Sequence, residues 1–295
     1  MEWERAKNYI IVFFILLNAT LGILLTIENR RYTITSDQER LIRTVLSRNN
    51  IIMYRMPMRQ FSPMRPIEVT GFYYSQEDIE ALVEILFENP QDVEHTYNLG
   101  NHRFVYGNIS LEITSGFITY KNPYGFRQAV DNTLFSLPNE DVTYGSAVRL
   151  TDIFVNNYFP DFVQDGRPTE EGGGIRIIYL QEYHGQLILS NSIEFLVTPV
   201  GIYQIEMEFG QILGHTGTPL MIFSPDEALF AFAQRVSPTT QETPKTIASM
   251  DLVYFNKYFS YQYGPYHAVP FYRIFTRCQI DQPFLVNAFT NETMW

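Results

Sequence analysis

The stretch from Tyr9 to Ile27 constrains this chain more than any other, because it carries no charge and has Asn18 and Thr20 as the polar residues near its middle. At a helical rise of about 1.5 Å per residue, about 19 residues span about 28 Å, close to the hydrocarbon thickness of a bilayer. Inside hydrocarbon every backbone polar group must bond within the segment, and a helix does that. Arg5 and Lys7 precede the run, and Glu28, Asn29, Arg30 and Arg31 follow it. A cleaved signal peptide has a shorter apolar core that ends at small residues. Here the small residues Ala19, Thr20 and Gly22 are followed by Ile23, Leu24, Leu25 and Ile27. The segment therefore reads as an uncleaved signal-anchor over residues 1–31, against a cleaved signal or a buried soluble helix. Basic residues flank both ends, so counting them does not orient the span. The expected topology has a short cytoplasmic N-terminus and residues 32–295 outside the cell membrane.

Residues 32–295 hold no second apolar run of spanning length, and they are long enough for one large domain or two ordinary ones. A net charge of −11 argues against nucleic acid, whose binding rests on neutralising phosphates with Lys and Arg. Aromatic residues make up 15% of the chain, which suits packing in a sheet-rich core. Cys278 is the sole cysteine, so no internal disulfide and no cysteine metal cluster can form. Its apolar, alternating surroundings read as a buried, inert strand position.

The order of elements gives the fold class. Ser36 and Glu39 have capping-box spacing ahead of a helix with Leu41, Ile42, Val45 and Leu46 on one face. Ser75 and Asp78 cap a second helix, with Ile79, Leu82, Val83 and Leu86 on its apolar face. A third runs from about Tyr144 to Tyr158 through Val148, Thr151 and Val155. Ser224-Pro-Asp-Glu227 opens a fourth, with a proline at its first position. Between them lie short alternating segments separated by Gly107-Asn108, Ser115-Gly116, His184-Gly185, Asn191-Ser192 and Pro199–Gly201, the pattern of antiparallel strands and hairpins. Gly166–Gly174 reads as an exposed loop. The expected architecture is α+β: an N-terminal transmembrane helix followed by two α+β units, residues 32–137 and 138–295, each with helices packed on an antiparallel sheet.

Chemistry-bearing motifs are sparse. His95, His102, His184, His215 and His267 have no metal-type partner at helical or strand spacing. Gly172-Gly173-Gly174 leads into a strand and lacks the following Lys-Ser/Thr of a phosphate cradle. No catalytic residue, cofactor or metal ligand is expected. The aromatic run Tyr254, Phe255, Tyr258, Phe259, Tyr261, Tyr263 and Tyr266 leaves open stacking on sugars or a peptide. A membrane-anchored cell-wall enzyme or wall-binding module therefore stays open as an alternative.

Two places resemble a known family. The opening Met1-Glu-Trp-Glu-Arg-Ala-Lys7, followed by an apolar span with Leu17-Asn18, is similar to the start of the YycI family. Ala268-Val-Pro-Phe-Tyr-Arg-Ile274 and Phe284–Glu292 resemble that family's closing hairpin, which is like the C-terminal strands of PepSY-type domains. The resemblance implies a non-enzymatic, single-span regulator of the cell-wall sensor histidine kinase of Gram-positive bacteria. Its partners would be the kinase's transmembrane helices and a YycH-like protein on the outer side. An extracellular protease inhibitor of PepSY type is the remaining alternative. Within the span, Asn18, Thr20 and Gly22 are the candidate contact residues. A polar amide in hydrocarbon seeks a partner, and small residues let helices approach closely.

Overall fold

The computed structural model describes residues 2–71, 74–114, 116–126, 129–130, 133–134, 142–208, 210–236, 244–256, 265–277 and 279–294. In chain order these form α1 (Glu2–Arg31), α2 (Ser36–Arg48), β1 (Ile51–Ile52), β2 (Ile67–Gly71) and α3 (Gln76–Leu86). There follow β3 (Glu94–Asn98), β4 (Asn101–Tyr106), β5 (Ile109–Thr114), β6 (Phe117–Phe126), β7 (Ala129–Val130), β8 (Thr133–Leu134) and α4 (Tyr144–Tyr158). The chain continues through β9 (Phe162–Glu171), β10 (Gly174–Tyr183), β11 (Gln186–Thr198), β12 (Gly201–Glu208) and β13 (Gly210–His215). It ends with α5 (Pro225–Val236), β14 (Lys245–Phe255), β15 (Tyr266–Thr276), β16 (Gln279–Asn287) and β17 (Thr293–Met294). The protein is α+β, with strands paired mostly antiparallel. Cys278, Tyr73, Ser115, residues 135–141 and the aromatic run from Tyr258 to Tyr263 lie outside the described residues.

Two compact units interleave along the chain: residues 1–64, 219–251 and 272–295 form one, and residues 65–218 and 252–271 form the other. This differs from the expected division at 137/138. The reason is pairing between early and late segments, which local periodicity does not carry. β1 pairs in parallel with the start of β14, Ile51 opposite Lys245, within the first unit. β2 pairs with the start of β15, Ile67 opposite Ala268, within the second.

In the second unit β9, β10, β11, β12, β6, β5, β4 and β3 pair antiparallel in that order. The two-residue alternation of a strand places one apolar row across this sheet. Phe104, Leu111, Tyr120, Ile205, Phe195 and Ile177 are successive register partners. α3 lays Ile79, Leu82, Val83 and Leu86 into the same core, and α4 contributes Ala147, Leu150, Phe154 and Val155. Each of these Val, Leu, Ile and Phe side chains contributes about 1.5–3 kcal/mol by leaving water. The buried face of α4 thus centres on Ala147, Leu150, Thr151 and Phe154, with Val148 and Tyr158 at its margin. Ser75 and Asp78 form the expected capping box on α3.

Three local expectations change. The cap of α2 is Thr35 with Gln38, one residue earlier than Ser36 with Glu39. Glu39 is buried, where Arg43, Arg59 and the Met56 amide hold its carboxylate, so it is not free to cap. Gly166–Gly174 is no loop: β9 runs through Glu171 and turns at Gly172-Gly173 into β10. Asn191-Ser192 does not separate two strands. Both lie inside the single long β11, beside a register shift against β10. His184 (φ 51°) and Gly185 (φ 78°) make the tight left-handed turn that hairpins prefer.

In the first unit α2 and α5 pack on each other. Their buried faces are Ile42 and Leu46 from α2, and Ala228, Leu229, Phe232 and Ala233 from α5. Phe232 meets Phe284 edge-on with ring centroids 5.0 Å apart. As expected, Ser224 opens α5, and the Glu227 carboxylate accepts from its amide and its hydroxyl at 2.7 Å each.

Candidate functional site

α1 is a single helix from Glu2 to Arg31, about 45 Å long at the standard rise. Lys7–Leu24 is long and apolar enough to cross a membrane, and none of it is buried against the rest of the chain. The helix fits a single-pass membrane anchor. Its three candidate contact residues do not share one face. At about 100° per residue, Asn18 and Gly22 are about 40° apart and form one stripe, while Thr20 is about 200° from Asn18. The Thr20 hydroxyl donates to the Leu16 carbonyl at 2.8 Å, so its hydrogen bond is made within the helix. Asn18 is exposed, and a Cβ placed on Gly22 meets nothing within 4 Å. The stripe able to meet a second helix is therefore Asn18 and Gly22, with Phe14 and Leu21 as flanks at helical spacing.

Register, which sequence spacing did not reveal, brings charged and titratable groups together in the second unit. Arg176 on β10 donates through Nε and Nη2 to one carboxylate oxygen of Glu194 on β11. Its Nη1 lies 3.5 Å from Glu171. Burial works against the Arg176 charge, but Glu194, Glu171 and Glu206 outweigh it and raise its pKa. The cleft beside them is small, about 150 Å³. On β12, burial pushes the Glu208 carboxyl up to about 7, and the Glu194 charge adds to the effect.

The two-residue turn at Leu99-Gly100 sets β3 against β4 and brings His95 to His102. His95 Nε2 and His102 Nδ1 are 3.2 Å apart, a hydrogen bond in which one ring donates. His95 is the register partner of Phe104 and His102 that of Ile113, so both rings continue the rows to which those core residues belong. Burial and then the neighbouring His95 lower the His102 pKa. His184 and His215 stack with centroids 5.6 Å apart, and His215 lies 6.3 Å from the Tyr254 ring. Among the described residues no group of three or more His, Cys, Asp or Glu could hold a metal ion. Tyr254 and Tyr266, from the aromatic run, are buried at 2% and 4% exposure. Neither ring is presented for stacking on a ligand, and the Tyr254 hydroxyl donates to the Arg65 carbonyl at 2.9 Å.

No protein-family model matches the sequence, and no curated protein matches it. Among solved structures, an uncharacterized protein from Eubacterium rectale superposes with a TM-score of 0.53 at 10% identity, covering 83% of this chain and 89% of that one. The C-terminal domain of Bacillus megaterium YpeB superposes with a TM-score of 0.44 at 10% identity, covering 75% of this chain and 96% of that domain. The first likeness shows the fold alone. Fold and exposed helix together define an α+β protein with one candidate membrane anchor among the described residues.

Proposed function

We propose that this chain is a membrane-anchored regulatory protein without catalysis of its own, of the YycI type. Its anchor contacts the transmembrane helices of a cell-wall sensor histidine kinase. Its folded units lie on the extracellular side and pair with a YycH-like protein. The observation that carries the reading is α1: an apolar helix with no buried residue in its span, and an Asn18/Gly22 stripe to offer a neighbour. The resemblance at Met1–Lys7 and in the closing strands supports it. Ala268–Ile274 falls in β15, Phe284–Asn287 falls in β16, and these strands pair.

The test is crosslinking in living cells followed by purification of the full chain in mild detergent. A sensor histidine kinase and a YycH-like protein are expected among the crosslinked partners. Recovery of neither would overturn the proposal.

A further inference from the structure

Within the first unit, β1 covers only the first two residues of β14: Ile51 opposite Lys245 and Ile52 opposite Thr246. On the other edge of β14, the Arg277 amide donates to the Thr246 carbonyl at 2.9 Å. β1 ends at Ile52, and residues 54–59 belong to no strand. Among the described residues no strand of this unit pairs with Ile247–Met250 on the edge that β1 abandons. Ala248 and Ser249 are both exposed there.

A cavity of about 940 Å³ is lined by Ile247–Met250 of β14 together with residues 54–57 and Arg59. Met56 and Met250, each 5% exposed, form its apolar floor. Arg55, Arg59 and Arg277 line it, and among the described residues none of the lining is acidic. This is notable in a chain with 32 acidic and 21 basic residues. Arg59 is tied to Glu39. Arg55 and Arg277 are exposed and make no ion pair among the described residues, and the Arg277 guanidinium lies 5.6 Å from the Tyr54 ring centroid. Stacking on an aromatic ring leaves a guanidinium's in-plane donors directed outward.

An open strand edge presents unpaired N–H and C=O groups, a template to which an extended peptide can add as a further strand. The geometry points to this groove as the binding site for an acidic, extended peptide segment of another protein. The segment adds as a strand beside Ile247–Met250, and its carboxylates meet Arg55 and Arg277. Backbone pairing sets the direction of the segment. The arginines select its charge, and guanidinium–carboxylate pairs supply bidentate hydrogen bonds. The open edge is about 13 Å long, which fits about four residues at 3.3 Å each. The site depends neither on α1 nor on the kinase, so the proposal stands apart from the regulatory reading.

The test uses the full chain in detergent and a fluorescent decapeptide of alternating Val and Glu, with anisotropy as the readout. Expected results are binding of the Val/Glu peptide, at least tenfold weaker binding of a Val/Lys peptide, and new hydrogen-exchange protection across residues 247–250. Substituting both Arg55→Glu and Arg277→Glu should weaken binding at least tenfold, whereas Arg103→Glu, a surface arginine on β4, should not. N-methylation of alternate peptide amides should also abolish binding. Equal affinity for the N-methylated peptide, with full displacement by pyrophosphate, would make the groove a simple anion site and overturn the proposal. Absence of protection at 247–250 would overturn it as well.

Discussion

Asn191 offers a quantitative test of how the second unit is held together. It is fully buried in β11, at 0% exposure. Its carboxamide donates to Gln181 Oε1 at 2.6 Å and to the Gly210 carbonyl at 3.0 Å, and it accepts from the Gly210 amide at 3.1 Å. Asn191→Ala removes all three bonds. Gln181 is only half-buried and recovers water. The two Gly210 groups are buried and cannot. Each orphaned buried group costs about 1–3 kcal/mol, so the substitution costs about 3 kcal/mol at the lower middle of that range. At about 1.4 kcal/mol per decade, local opening at the start of β13 becomes about a hundredfold more frequent. Hydrogen exchange of the Gly210–His215 amides in the full chain measures this directly. Exchange within threefold of the parent would refute the assignment of Asn191 as the tie between β11 and β13.

Other consequences follow from single sites. A Cβ at Gly125 would lie 2.0 Å from the Val200 carbonyl oxygen at a φ of +78°, so Gly125→Ala should cost on the order of 3 kcal/mol; an unchanged melting temperature would contradict the close approach of β6 to the Val200 turn. Glu208 has a folded pKa of about 7 against an ordinary 4.5, so the folded state keeps a proton that the unfolded chain has released. Stability therefore falls as pH rises through that window, and the loss is complete above about 7. Glu208→Gln should raise the melting temperature at pH 8 and leave it unchanged at pH 4; equal effects at both would refute the linkage. The lowered His102 pKa has the opposite sign: its contribution is present above the ordinary 6.5 and is lost as pH falls through the lower folded value. Protection of β3 amides, corrected for intrinsic rates, should drop below pH 6 in the parent and not in His102→Gln.

Local chemistry was legible where it was periodic or punctuated. The face of α3 was readable from apolar spacing, and the starts of α3 and α5 from Ser75/Asp78 and Ser224/Glu227. The turns at Gly107-Asn108 and His184-Gly185 were readable because they need left-handed backbone. β3 was not, since all five of its residues are exposed and its pattern is polar. β9 was hidden by Gly166 and Pro168, which read as loop signals. Asn191 resembled a turn residue because the sequence does not show that its amide is spent on Gly210. The parallel pairing of β1 with β14 joins segments nearly two hundred residues apart, and no local pattern encodes it. Of the candidate contacts, Asn18 and Gly22 share a stripe by helical geometry. Thr20 was grouped with them by proximity in sequence, which is not proximity on a helix.

The central claim is that α1 acts as a contact and not only as a tether. Exchanging residues 9–27 for an unrelated apolar single-pass helix of equal length, with the folded units untouched, tests it most directly. Transcriptional output of the two-component system proposed as its partner is the measurement. The account predicts altered output, and it predicts that Asn18→Leu in the native helix reproduces part of the change, since an interhelical amide bond contributes about 0.6–2 kcal/mol. Output indistinguishable from the parent after the exchange, with the protein present at normal level in the membrane, would contradict it.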